Sequence, residues 1–223
     1  MEIINNNSYY ITVNKYKKRQ LFMEKQLKKY KMNVKKFLGV DKDTIQMNYF
    51  IKNGYIKLPF KISKEKLGSL SCALSHILLY KKILKENKDN DKNIFLIFED
   101  DAVILPKFKE KLFFYITKAP KDWDMIWLGY NKVYGKLVNK YFYKPFNKMN
   151  RFNSCHHCYL IKKSSIEKIL NILVPLNYIQ NIYSAHDICL RNNFHKFNAY
   201  FINNKMAVQN MNFISKRTGK KNG

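Results

Sequence analysis

Three consecutive acids, Glu99, Asp100 and Asp101, follow directly on the apolar run Ile94 to Phe98, in a chain whose formal net charge is +26. Adjacent carboxylates repel one another, and beside a buried strand they also lose solvation. A hard divalent cation held by carboxylate oxygens removes both costs. It can also neutralise the phosphates of a nucleotide substrate. Pairing with surface lysines is the alternative, but exposed ion pairs contribute only about 0–1 kcal/mol and do not explain three acids at the end of five apolar residues. Alternation along an extended chain would turn Glu99 and Asp101 to one side and Asp100 to the other.

Three further groups carry reactive side chains. Ser75 and His76 interrupt an otherwise apolar segment, where a histidine is more often a satisfied core residue than a ligand. Cys155-His156-His157-Cys158 has the composition of half a zinc site. A second ligand pair at suitable spacing is missing, since His186 and Cys189 stand singly, and a redox Cys-x-x-Cys would open a helix, whereas this one precedes an apolar run. After Asp124 the chain has two acids, Glu167 in an amphipathic segment and Asp187 beside His186.

These residues need a scaffold, and the apolar pattern supplies one. It predicts a strand over Tyr9–Val13 and a helix over Lys15–Lys31, with Leu21, Leu27 and Tyr30 on its apolar side. A short strand follows over Phe37–Val40. Residues 41–66, broken by Gly54 and Pro59, read as a loop region with short helices. Leu67–Glu86 is a helix burying Leu70, Ala73, Leu74, Ile77, Leu78 and Leu84, and residues 87–93 form a polar loop. Ile94–Phe98 reads as a central strand covered on both faces. Next come a helix over Lys107–Lys118, strands over Met125–Leu128 and Cys158–Ile161, and a helix capped by Ser164. A short helix over His186–Phe194 and a strand over Ala199–Ile202 complete the pattern. Alternating strands and helices predict an α/β fold with a mostly parallel sheet, whose ligands bind beyond the carboxyl ends of the strands. The three acids fall at such an end.

Composition bounds the function classes. With 223 residues, 46% apolar and 15% aromatic, the chain can bury a real core. No run reaches the roughly 20 apolar residues of a membrane span, and the first residues lack a signal-peptide pattern. Four cysteines in a chain this long do not form a disulfide scaffold, which predicts a reducing compartment. The expected location is cytoplasmic, or peripheral on a membrane surface. The 42 basic residues are mostly lysines spread along the chain. There is no helix-turn-helix, zinc-finger or RNP pattern, so no specific nucleic-acid partner is expected. Residues 1–214 are expected to form one domain, and 215–223 a mobile basic tail that could favour an anionic membrane.

The sequence also resembles glycosyltransferase family 25, which includes lipooligosaccharide galactosyltransferases and collagen galactosyltransferase domains. GSLSCALSHILLYKKI followed by IFLIFEDDAVI is similar to the family's pattern of Gly68, Cys72, Ser75 and His76 before a strand ending in Glu99-Asp100-Asp101. SYYITVNKYKKRQ resembles its opening strand with Asn14 and Arg19. DWDMIWLGYN, HHCYLIKKSSIEKIL, SAHDICL and VQN are similar to its later elements, which makes Cys155–Cys158 a strand entry near the site, with His157 able to reach donor or metal, and argues against zinc there. The resemblance implies a GT-A type fold, a UDP-sugar donor (UDP-galactose or UDP-glucose) and Mn²⁺ held by Glu99 and Asp101. It implies donor-binding roles for Asn14, Arg19, Ser75, His76 and Asp100. Transfer would be inverting, to a hydroxyl of a glycan, a glycolipid or a protein. Inversion needs a base for that hydroxyl, and Asp187 is the candidate, against an alternative role as an acid facing the helix dipole.

Two other function classes compete. Nucleotidyl transfer would want a third clustered acid and a glycine-rich phosphate loop, and only seven glycines are present. A catalytically inactive protein of the same fold could bind polyanions or a membrane surface through charge alone.

Overall fold

The computed structural model describes residues 7–57, 64–87, 93–146, 154–176 and 185–213. The N-terminal residues, Pro59, most of the polar loop at 87–93 and the basic tail lie outside the described residues.

Aromatic and β-branched runs form the centre of the fold. β1 (Ser8–Thr12), β3 (Ile94–Glu99), β5 (Met125–Gly129), β8 (Cys158–Lys162) and β9 (Ala199–Ile202) are buried almost throughout. With β2 (Lys35–Leu38), β6 (Gly135–Asn139) and β7 (Phe142–Pro145) they make an eight-stranded sheet in the order β2-β1-β3-β8-β5-β9-β7-β6. β1 is parallel to β2 and to β3, and β5 is parallel to β9. β8 runs antiparallel to both β3 and β5, and β7 runs antiparallel to β9 and β6. Six strands therefore share one direction and two oppose it. This is an α/β architecture with a mostly co-directional central sheet, as expected. A separate ribbon joins β4 (Ala102–Ile104) to β10 (Ala207–Gln209).

The reversal of β8 matters for the site. Because β8 opposes its neighbours, its first residue, Cys158, pairs with Phe98 and Gly129 near the ends of β3 and β5. The Cys155–Cys158 segment is thereby carried to the carboxyl end of the sheet, beside the acids.

The helices are α1 (Lys17–Lys29), α2 (Met47–Lys52), α3 (Lys64–Glu86), α4 (Phe108–Lys118), α5 (Lys163–Leu173) and α6 (His186–Arg191). α3 packs against α5 and α6. It buries Leu70, Ala73, Leu74, Ile77, Leu79, Tyr80 and Ile83, so burial extends round much of the helix; Leu78 and Leu84, expected inside, are only partly buried. In α1 the buried residues are Arg19, Gln20, Met23 and Leu27, while Leu21 is 66% exposed, contrary to its expected place on the apolar side. Ser164 is not a cap: α5 starts at Lys163 and its N-cap is Lys162. At the start of β5, buried Asp124 accepts hydrogen bonds from the Ser165 hydroxyl at 2.6 Å, the Asn198 amide at 2.7 Å and the Lys168 ammonium at 2.9 Å. That carboxylate ties β5, α5 and β9 together at the end remote from Glu99.

Candidate active site

Glu99 is the last residue of β3, and its amide donates to the His157 carbonyl at 3.0 Å. Asp100 and Asp101 occupy the turn into β4. The Asp100 carboxylate accepts from the Thr12 hydroxyl at 2.7 Å through Oδ2 and from Arg19 Nη1 at 2.7 Å through Oδ1. Both oxygens are thus engaged by β1 and α1. Arg19 also lies 3.5 Å from Asp101 Oδ2. The strict alternation expected of the three acids fails because the strand ends at Glu99, and one guanidinium serves both aspartates.

Asp101 Oδ2 also accepts from Gln209 Nε2 at 3.1 Å. Its Oδ1 is buried and has no hydrogen-bond partner among the described residues. Burial, and after it the Glu99 charge, push the Asp101 carboxyl up to about 7, with Arg19 pulling the other way. Glu99 goes in the opposite direction. Burial would raise it, but the His76 hydrogen bond and the charges of His76, His157 and His156 hold it at about 2. Neighbouring carboxyls driven apart in this way make this the candidate site.

Glu99 keeps 26% of its side chain exposed. Its Oε1 lies 3.3 Å from His76 Nε2 and 3.6 Å from the Cys72 sulfur. His76 Nδ1 is 2.7 Å from the Tyr159 hydroxyl, which is 2.7 Å from the Tyr80 hydroxyl, itself 3.0 Å from His186 Nε2. His156 packs at 4.6 Å on Trp127 and edge-on to His186. His157 Nε2 lies 3.3 Å from the Ala207 carbonyl, and its ring fills the space beside Gly129, where a Cβ would come within 2.6 Å of it. Of the five histidines in the chain, four (His76, His156, His157 and His186) are thus buried in this region. Burial lowers the pKa of both His157 and His186.

The remaining expected residues fall as follows. Asn14 is exposed in the turn after β1, where its Oδ1 accepts from Lys17. Ser75 is buried; its hydroxyl donates to the Ser71 carbonyl at 2.6 Å and accepts from the Val40 amide at 2.8 Å. It fixes the chain leaving β2 onto α3, and a Cβ on Gly39 would sit 2.5 Å from its oxygen. Asp187 lies in the first turn of α6, 8% exposed. Its two oxygens accept from the Cys155 and Ile188 amides, each at 2.9 Å. Cys155 has a left-handed φ of 64°, so Asp187 anchors a strained corner at the entry to the histidine segment.

The sequence did not point to Thr12, Tyr80 or Tyr159 as site residues; it gave Cys72 and Gln209 only as parts of motifs, and His186 only as a lone histidine beside Asp187. The Cys72-x-x-x-His76 spacing, one helical turn, was a usable signal. Tyr80 and Tyr159 gave none, because buried aromatics are ordinary.

Oxygen donors at Glu99 and Asp101 fit a hard divalent ion: one carboxylate is partly exposed, and the other has a buried oxygen without a hydrogen-bond partner among the described residues. Asp100 fits less well, since both of its oxygens are engaged.

An α/β sheet with acids beyond the carboxyl end of a central strand is an arrangement suited to binding a nucleotide substrate. The chain belongs to glycosyltransferase family 25, described as an LPS biosynthesis protein family, whose model matches residues 5–216. No curated protein matches it. Two similar solved structures are A197 from STIV and a glycosyltransferase involved in glycosylation of the major capsid of PBCV-1. The first shows 16% identity over 90% of this chain and 82% of that chain, with a TM-score of 0.46. The second shows 12% identity over 74% of this chain and 63% of that chain, with a TM-score of 0.37. None of the helices described is long and apolar enough to cross a membrane.

Proposed function

We propose that the protein transfers a hexose, galactose or glucose, from a UDP-sugar to a hydroxyl of a glycan, a lipid-linked glycan or a hydroxylated protein, with inversion at the anomeric carbon and dependence on Mn²⁺. The observation that carries this reading is Asp101 Oδ1, buried and without a hydrogen-bond partner among the described residues, in the Glu99-Asp100-Asp101 segment of a chain that belongs to this family. Glu99 and Asp101 would hold the ion, which when bound offsets the charge of the donor diphosphate.

The protein's own groups divide the remaining work. Asp100 and Arg19 fix the turn that presents Asp101. Asn14, beyond the carboxyl end of β1, lies where open α/β sheets take nucleotides. Ser75 and His76 act on the donor pocket indirectly: Ser75 sets the loop after β2, and His76 orients Glu99. Asp187 is the proposed base. The two amides aim its carboxylate. It takes the acceptor proton while the acceptor oxygen bonds to the anomeric carbon, and the bond to UDP breaks on the opposite face, with UDP keeping the electron pair.

The test is UDP release from a panel of UDP-sugars, with Mn²⁺ and with chelator, by the wild type and Asp101→Ala. Release from one donor that needs both the metal and Asp101 is expected. Release indifferent to both overturns the reading. The net charge of +26 favours a second reading, polyanion or anionic-membrane binding. Binding that ignores nucleotide sugars and vanishes with salt would support it.

A further inference from the structure

We propose that Cys72, His76 and Glu99 form a binding site for a borderline-soft divalent ion of the zinc class, separate in its chemistry from the hard-ion pair Glu99 and Asp101. The sulfur, the imidazole Nε2 and a carboxylate oxygen all lie within 4.8 Å of one another. Cys72 and His76 are four residues apart and project from the same face of α3. Glu99 reaches them from the end of β3.

Two of the three spacings match what such an ion needs, and the third lies within 4.8 Å. Tetrahedral zinc, with bonds of about 2.0–2.3 Å to nitrogen, oxygen and sulfur, sets its ligand atoms roughly 3.3–3.8 Å apart. Glu99 Oε1 stands 3.3 Å from Nε2 and 3.6 Å from the sulfur. One thiolate, one imidazole and one carboxylate is a set that soft or borderline ions prefer and Mn²⁺ does not. Cys72 and Glu99 are partly exposed, which leaves a fourth position open to water.

The surroundings are those of a metal-ligating histidine. The nitrogen not aimed at Glu99 is bonded to the Tyr159 hydroxyl, the arrangement that fixes tautomer and ring orientation in metal sites. The chain His76–Tyr159–Tyr80–His186 can run in either direction. If Nδ1 donates, Tyr159 donates to Tyr80 and Tyr80 to His186 Nε2, and His76 Nε2 presents its lone pair towards Cys72 and Glu99. An ion in the triad selects that direction.

The site does not depend on the proposed sugar transfer. If both hold, they share Glu99, and a zinc-class ion withdraws that carboxylate from the donor metal, so micromolar Zn²⁺ inhibits a Mn²⁺-supported reaction.

The experiment is Co²⁺ titration of the full chain, followed through the thiolate-to-cobalt charge-transfer band and the visible bands of tetrahedral Co²⁺. We expect one equivalent, displaced by Zn²⁺ and not by excess Mn²⁺. Cys72→Ser loses the charge-transfer band, whereas Cys155→Ser and Cys189→Ser keep it, with unchanged circular dichroism in all three. No band in the wild type overturns the site, as does a band that survives Cys72→Ser or disappears with Cys155→Ser. These readings involve no nucleotide sugar, so failure here and failure of the sugar-transfer test are distinguishable.

Discussion

The imidazoles of His76 and His186 lie face to face, ring centroids 3.9 Å apart and planes 9° from parallel, both rings buried. Two imidazolium ions cannot share that contact. The stack joins α3 to α6, and so links the residue that orients Glu99 to the one that precedes Asp187.

Acid should therefore weaken the fold through His186. Its folded pKa is pushed well below the ordinary value by burial, then by His76 and His156. The unfolded state binds the proton more readily, so this stability is present above the unfolded pKa of about 6.5 and is lost as pH falls below it, at up to about 1.4 kcal/mol per pH unit. Urea midpoints measured stepwise from neutral pH into mild acid should fall for the wild type and fall less for His186→Phe. Glu99, held low, loses its contribution only in a more acidic window, from its ordinary 4.5 down towards about 2.

Mn²⁺ affinity should rise with pH. Asp101 keeps its proton up to about 7, and a ligating carboxylate must give it up. Calorimetry should show affinity climbing about tenfold per pH unit well below that value and levelling above it. Asp101→Asn should bind weakly, with a flat profile. An equally steep rise in Asp101→Asn would exclude Asp101 as the titrating ligand.

Arg19→Met should be strongly destabilising. The guanidinium is 2.7 Å from Asp100 and both side chains are buried, so removing it strands a carboxylate. A loss of about 3–5 kcal/mol by chemical denaturation is expected. A loss below about 1 kcal/mol would be the behaviour of a solvated pair.

Gly129→Ala should disturb the site without touching an acid. The new Cβ would meet the His157 ring at 2.6 Å and the Ala207 carbonyl at 3.0 Å. Overpacking of this kind costs about 1–3 kcal/mol. Donor turnover should fall as His157 is displaced, and a variant with unchanged stability and turnover would show that the ring moves freely.

Asp187→Asn should separate binding from transfer. Donor affinity should stay near wild type while transfer falls by about 10²–10⁴-fold, the usual share of a general base. Equal transfer by the two proteins would leave Asp187 as only the anchor of Cys155.

Much of this fold is legible in the sequence because its central strands are short apolar runs with clear ends. Ala199–Ile202 falls where the pattern puts it, and β3 differs by one residue. β6 and β7 were not legible: β6 is largely exposed, so Leu137 and Val138 carry no burial pattern, and the hairpin is made by the Asn139 side chain accepting the Tyr141 and Phe142 amides. The direction of β8 was hidden too, since an apolar run looks the same from either end. Of the site, the acids and His76 could be read locally. The gathering of His156, His157 and His186 could not, because it follows from that reversed strand and from α6 packing on α3.

The position of β8 also has a temporal consequence. Take β8 out of the sheet order and the remainder separates into β2-β1-β3 on one side and β5-β9-β7-β6 on the other. As synthesis proceeds, the acids leave the ribosome long before the histidine segment that flanks them. Insertion of β8 joins the two parts of the sheet, so a nascent chain cannot bring His156 and His157 beside the acids until that strand is in place.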